Sequence, residues 1–329
     1  MNIFIRAYGS HLMGMGHLYR VNKIVNKLKK IKQCNITLFT QKYSEAINIY
    51  KDINVDDIIE IPINISIEDE AKELEKAFEI QYEICINDQL NTDKLLAEIL
   101  TINSNKSITF DDLGNGNYLF NHIINVLYPS KNRLKNEINS YNYMILDDYS
   151  KIKENTEFKK DVKTIFINQG AADTWGAIPD MINDLNKLNI DFKIKVLLGP
   201  SFKHWSELSV ALENNTKQIE IFNYTKSVIE LAKDCDLAIL GAGNTLFEIA
   251  SIGVPIIAST REQKELITIE RLLNDDIVYS NNCLYSNGLD VIVKRVIEIL
   301  EDREKKYINN RKLFQYNGLD KIIRLIDGE

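Results

Sequence analysis

No pair of cysteines or histidines in this chain stands at a metal-ligand spacing. Cys34, Cys85, Cys235 and Cys283 form no CxxC, and His11, His17, His122 and His204 form no HExxH or HxH. Neither a disulfide framework nor a zinc site is indicated, and no metal or cofactor is called for. Unpaired cysteines point to a reducing compartment, the cytosol. Long apolar runs are also missing: nothing reaches the roughly 18 residues of a transmembrane helix. Residues 1–8 are strand-like and carry Arg6, so they do not read as a secretory signal. Positive charge is in deficit, with 40 Lys and Arg against 47 Asp and Glu and a net charge of −7. That balance argues against a general nucleic-acid binder. Proline is scarce, at five residues, and we read the Asn, Ile and Lys richness beside it as a bias of composition.

What remains is a chain of 329 residues, 45% hydrophobic and 26% charged, enough for two globular domains with cores of their own. Short apolar runs alternate with amphipathic stretches throughout. In the first half, strand-like runs fall at 2–6, 35–39, 57–61, 107–112, 123–126 and 143–146. Between 67 and 100 the chain reads as a long acidic helical segment, with a solvated face over 67–88 and another helix at 92–100. Residues 147–161 are polar, lack an apolar face and serve as the candidate linker. A second series begins at Lys163 and runs through strands at 163–167, 194–199, 219–221, 237–240 and 255–258, ending in a mostly helical tail. The expectation is an α/β protein of two doubly wound Rossmann-like domains, 1–150 and 151–329, facing a cleft. Ligands of such sheets bind at the carboxyl ends of the strands, which marks residues 9–17, 111–116, 168–174 and 241–248.

The first of these junctions holds Gly14, Gly16, His17 and Arg20 between a strand and the helical pattern Leu18, Val21, Ile24, Val25, Leu28. The glycines permit a tight turn, and a helix start aims N–H groups at an anion. A histidine there can exchange a proton near neutral pH. A tight turn with an incidental histidine is the bland alternative. At the second junction Asp111 and Asp112 end a strand, where either could face the ligand crevice or cap the turn that follows.

The most specific stretch is Leu240-Gly241-Ala242-Gly243-Asn244-Thr245-Leu246-Phe247-Glu248. A buried strand, a small-residue loop and a helix start suit a phosphate held by backbone N–H groups. Asn244 and Thr245 add side-chain donors, and Glu248 could accept from ribose hydroxyls. Thr245 and Glu248 also fit a capping box, which would make Glu248 structural. The loop is neither a Walker A motif nor a GxGxxG in the first βαβ unit.

Taken together, these residues resemble the pseudaminic acid pathway UDP-sugar hydrolase and the spore-coat polysaccharide biosynthesis proteins. Gly14-Met15-Gly16-His17-Leu18-Tyr19-Arg20 is similar to the Gly-x-Gly-His-x-x-Arg signature, and residues 241–248 to the Gly-x-Gly-Gly-Ser-Thr-x-x-Glu loop. Gln169-Gly170-Ala171-Ala172-Asp173 resembles a Gly-Gly-Ser-Asp loop, Ile252-Gly253-Val254-Pro255 a Leu-Gly-x-Pro, and Glu262-Gln263 part of a Glu-Asn-Gln. The chain departs from these patterns at Asn244 and at Ala171-Ala172, where a possible hydroxyl donor is lost.

The resemblance implies the glycosyltransferase B fold, shared with the N-acetylglucosaminyltransferase that makes lipid II. It implies hydrolysis of a UDP-linked amino or deoxy sugar with inversion, in surface-glycan biosynthesis, with a nucleotide sugar as the small-molecule partner. His17 would be the base, with Asp111 as the other catalytic candidate. Gly14, Gly16, Arg20, Asp112, Gly170, Asp173, Gly241, Gly243, Asn244, Thr245, Glu248 and Gln263 would bind substrate. An inverting sugar transferase is the alternative, and a binding protein without catalysis the third reading.

Overall fold

The computed structural model describes residues 1–9, 16–44, 47–128, 134–146, 156–225, 227–260, 263–284, 288–314 and 317–328. The chain divides into two compact units, Met1–Ile145 with Asn317–Glu329, and Leu146–Tyr316. Gly14, Glu262 and residues 147–155 of the expected linker lie outside the described residues. Among the described residues no helix is long and apolar enough to cross a membrane.

The first unit is a seven-stranded parallel sheet in the order β3-β2-β1-β4-β5-β6-β7. Its strands are β1 Asn2–Ala7, β2 Asn35–Gln41, β3 Asp57–Ile61, β4 Tyr82–Asp88, β5 Ser104–Phe110, β6 His122–Ile124 and β7 Glu137–Ile138. The strand order reverses between β1 and β4, whose register pairs Ala7 with Asp88. The carboxyl ends of these two strands are therefore the topological switch point.

The run 67–88 is not one helical segment: a helix at Ile67–Ala77, capped by Ser66, ends before β4. The helix expected at 92–100 occupies Lys94–Ile102. A central strand buried on both faces gives no alternation in sequence, and β4 carries Glu83, Asn87 and Asp88 among its apolar residues. Glu70, expected on a solvated face, is buried because it pairs with Arg6 across 2.6 Å. The run 143–146 is not a strand either; a 3₁₀ turn at Tyr141–Tyr143 leads into it.

The second unit is a six-stranded parallel sheet in the order β10-β9-β8-β11-β12-β13. Its strands are β8 Thr164–Asn168, β9 Lys193–Leu197, β10 Gln218–Phe222, β11 Leu237–Leu240, β12 Ile256–Thr260 and β13 Tyr279–Leu284. Here the switch point lies between β8 and β11, where Asn168 pairs with Leu240. Ile165, Ile167, Ile194, Val196, Leu237 and Ile239 of the sheet pack with Met181, Ile182 and Leu185 of the helix Ala177–Asn186 in one buried core.

The terminal residues depart from the expected boundary. Helix Gly318–Asp327 belongs to the first unit, where Lys106 Nζ donates to Leu325 O at 2.9 Å and Lys27 pairs with Asp320 at 2.8 Å. These partners are remote in sequence, so no local pattern announces them.

Gly114 sits where the loop after β5 crosses the loop after β4. A Cβ there would lie 2.1 Å from the backbone N of Thr92. Gly114→Ala is expected to destabilise the first unit by about 3 kcal/mol through forced backbone movement, read as a lower urea midpoint at unchanged m value.

Candidate active site

His17 is the second residue of the helix Gly16–Ile31, at the carboxyl end of β1. Its Nδ1 lies 2.6 Å from Asp88 Oδ1, at the end of β4. Asp88 is fully buried. Burial by itself would push its carboxyl up, but Arg20 and His17 outweigh that and hold it below the usual carboxylate range. An ionised carboxylate only accepts, so Nδ1 is the ring nitrogen that donates to Asp88, and Nε2 is the one left to exchange a proton. The His17 side chain remains 13% exposed.

Arg20 follows His17 by three residues on the same helix and fixes Asp88 from the other side. Its Nε donates to Asp88 Oδ2 and its Nη2 to Asp88 Oδ1, each at 2.7 Å. Its Nη1 donates to Asp111 Oδ2, and its guanidinium lies 5.0 Å from the centre of the Phe110 ring. A bidentate pair of this kind sets orientation as well as charge. The expectation that Arg20 binds substrate meets a guanidinium whose three nitrogens are all engaged with carboxylates.

Asp111 is engaged as well. Its Oδ1 accepts from the backbone N–H groups of Val126 and Leu127 at 2.8 Å each, and its own backbone is left-handed at φ 47°. Asp112 accepts from Thr92 N and Gly114 N at 2.9 Å each and from Thr109 Oγ1 at 2.9 Å. It is wholly buried, so in place of the expected substrate contact it ties the loops after β4 and β5 together. Beneath it Asn87 donates to Thr92 and Thr109, while Arg6 donates to Asn87 Oδ1 at 2.8 Å. The chain neighbour of Asp88 is thus pinned within a satisfied polar network, the condition under which such networks rigidify a site.

In the second unit, helix Asn244–Ser251 starts after Gly243, which is its N-cap. Thr245 therefore lies inside the helix, and the Thr245–Glu248 capping box does not form. Neither Gly241 nor Gly243 has a positive φ. A Cβ at Gly243 would meet nothing within 4 Å, and one at Gly241 would make ordinary contacts of 3.5 Å or more. Neither glycine is required by the fold itself. Asn244 and Thr245 are half-buried, and their side chains have no hydrogen-bond partner among the described residues. Glu248 is 9% exposed on the same helix.

The loop after β8 is more structural than expected. Asp173 accepts from Ala177 N at 2.8 Å and Ile178 N at 3.0 Å, capping the helix Ala177–Asn186 instead of reaching outward. Gly170 is left-handed at φ 69°, with open space where a Cβ would be. Gln263 is exposed on the turn Gln263–Glu265. Glu265 of that turn accepts from Ala242 N at 3.4 Å and from Thr260 Oγ1.

Sequence reasoning missed Asp88 and Glu265. Asp88 closes a strand hidden in an acidic region, and its partner His17 is 71 residues away. An Asn-Asp pair ending an Ile-Cys-Ile run was the available signal.

Residues 164–317 match the Glycosyltransferase family 28 C-terminal domain. The uncharacterized protein MJ1062 of Methanocaldococcus jannaschii is 28% identical over 278 residues, covering 78% of this chain; the chain spans only 55% of that protein's length. The spore coat polysaccharide biosynthesis protein SpsG of Bacillus subtilis is 23% identical over 82% of this chain and 80% of its own. Among solved structures, MurG of Acinetobacter baumannii superposes with a TM-score of 0.71 at 12% identity, over 100% of this chain and 99% of that one. The two parallel α/β units are those of the glycosyltransferase B fold, and residues 164–317 match the C-terminal domain of glycosyltransferase family 28.

Proposed function

We propose that the protein acts on a UDP-linked amino or deoxy sugar in surface-polysaccharide biosynthesis, displacing UDP with inversion at the anomeric carbon. The observation that carries this reading is the His17–Asp88 pair, an imidazole held in one tautomer with Nε2 available. His17 takes the proton of the attacking hydroxyl, and Asp88 stabilises the imidazolium that results, the division of labour known from other carboxylate–histidine pairs. Arg20 and Asp111 act as positioning residues behind that pair. In the second unit the 241–245 loop and its helix start hold the diphosphate, whose charge grows as the sugar–oxygen bond breaks. Glycines that neither backbone geometry nor internal packing requires support a close approach of ligand to that loop.

Our first reading takes water as the nucleophile, which gives hydrolysis to UDP and free sugar. The second reading, transfer to an acceptor hydroxyl, draws support from the match to a glycosyltransferase domain. Rapid UDP release from a UDP-sugar without acceptor supports hydrolysis; release that requires an added glycan or lipid acceptor supports transfer. A thermal-shift panel of nucleoside diphosphates tests the ligand class before the sugar is known, since a ligand of the folded state raises its stability by mass action.

Glu248 is assigned to the ribose. Glu248→Gln is expected to weaken UDP binding about tenfold, within the range for a charge-assisted hydrogen bond. It should also abolish the preference for UDP over 2′-deoxy-UDP. Calorimetry showing that preference intact in the variant removes Glu248 from the ribose.

A further inference from the structure

The loop after β8 contains a donor that the fold does not use. Within residues 168–173, Asn168 Nδ2 donates to Leu197 O at 2.9 Å, and its Oδ1 accepts from Gly170 N at 3.1 Å. Gln169 Nε2 is buried and has no hydrogen-bond partner among the described residues. The amide lies against the glycine loop: Gln169 Oε1 would be 3.5 Å from a Cβ placed on Gly241, and Glu265 Oε2 3.8 Å from the same point. The support is stiff. Gly241 N donates to Asn168 O at 3.3 Å, and Ser201 N to Ala171 O at 2.9 Å. A Cβ on Gly199 would be 2.2 Å from Ala171 O, so the two backbones pack too closely there to admit a side chain. Ala171 and Ala172 bring no hydroxyl to this end of the sheet.

A buried amide donor without a partner is unfavourable, and Met or Leu would fill similar space without that penalty. The geometry points to Gln169 as a substrate-binding residue, whose Nε2 donates to a phosphoryl oxygen of a nucleoside diphosphate held on the 241–245 loop. This inference rests on the reading of that loop as the diphosphate site. It assigns the donor at the β8–β11 switch point to a side chain, where the neighbouring Ala171-Ala172 offers none. Gln169 distinguishes phosphorylated from unphosphorylated nucleosides and leaves the choice of base to other residues.

The test measures UDP and uridine binding by calorimetry in the full chain, with thermal unfolding of the ligand-free protein alongside. Gln169→Met keeps the length and removes the amide. It should weaken UDP binding about tenfold, leave uridine binding unchanged, and leave the ligand-free unfolding temperature equal or higher. Gln169→Glu keeps the shape but sets a negative charge beside the phosphates, and should weaken UDP binding on the order of a hundredfold. Wild-type UDP affinity in Gln169→Met overturns the inference while the diphosphate reading stands. A lowered ligand-free unfolding temperature in that variant also overturns it, by showing that the amide serves the fold. Wild-type protein that binds neither UDP nor any other nucleoside diphosphate removes the reading and the inference together.

Discussion

His17→Asn is expected to lower turnover of the sugar nucleotide by about 10²–10⁴-fold, the usual share of general-base catalysis. UDP affinity should hardly change, because nucleotide contacts are assigned to the second unit. The histidine is partly exposed and lies at a helix start, so the fold should tolerate the change. A variant that keeps near-wild-type turnover at saturating substrate rules out His17 as the base.

The second large effect is expected at Asp88. Asp88→Asn keeps the shape but lets the amide donate to Nδ1, which favours the tautomer with its lone pair on the wrong nitrogen. Turnover should fall by about two orders of magnitude or more, as when a histidine loses its orienting carboxylate. Stability should fall too, by about 3–5 kcal/mol, because Arg20 is left buried with half its compensation. The pH dependence has a definite sign. The folded carboxyl is held below its usual range, chiefly by Arg20 against the opposing effect of burial. Its contribution is therefore fully present above the unfolded value of about 3.9 and is lost as pH falls through the lower folded value. Urea titrations at pH 7 and near pH 3 should show the stability gap between wild type and Asp88→Asn narrowing at the lower pH. A gap that stays constant or widens contradicts an ionised, paired Asp88.

The contrast between His17 and Asp88 shows where sequence reading ends. His17 was legible because everything that marks it is local: a strand, two glycines and a helix start within one stretch. The 241–248 loop was legible for the same reason, and even its ambiguity was local. The position of the helix start, one residue past Gly243, resolved it against a capping box. Asp88 meets His17 only through the pairing of β1 with β4, and β4 itself was hidden in an acidic region. The strand-end carboxylates show the opposite failure. Asp112 and Asp173 sit where site residues sit, yet they satisfy backbone N–H groups of their own loops. Strand ends leave both ligands and loop backbones in need of acceptors, and residue type alone does not separate the two uses. Arg20 follows the same logic: its spacing from His17 is visible, but that it faces two carboxylates is a tertiary fact.

The most direct test of the central claim is proton NMR of UDP-linked amino and deoxy sugars incubated with the protein and no acceptor. The account predicts UDP and free sugar in equal amounts. The first-formed sugar should have the opposite anomeric configuration from the substrate, and the signal should be lost in His17→Asn. Retention of configuration, or release of UDP at the wild-type rate by His17→Asn, would contradict inverting attack assisted by His17.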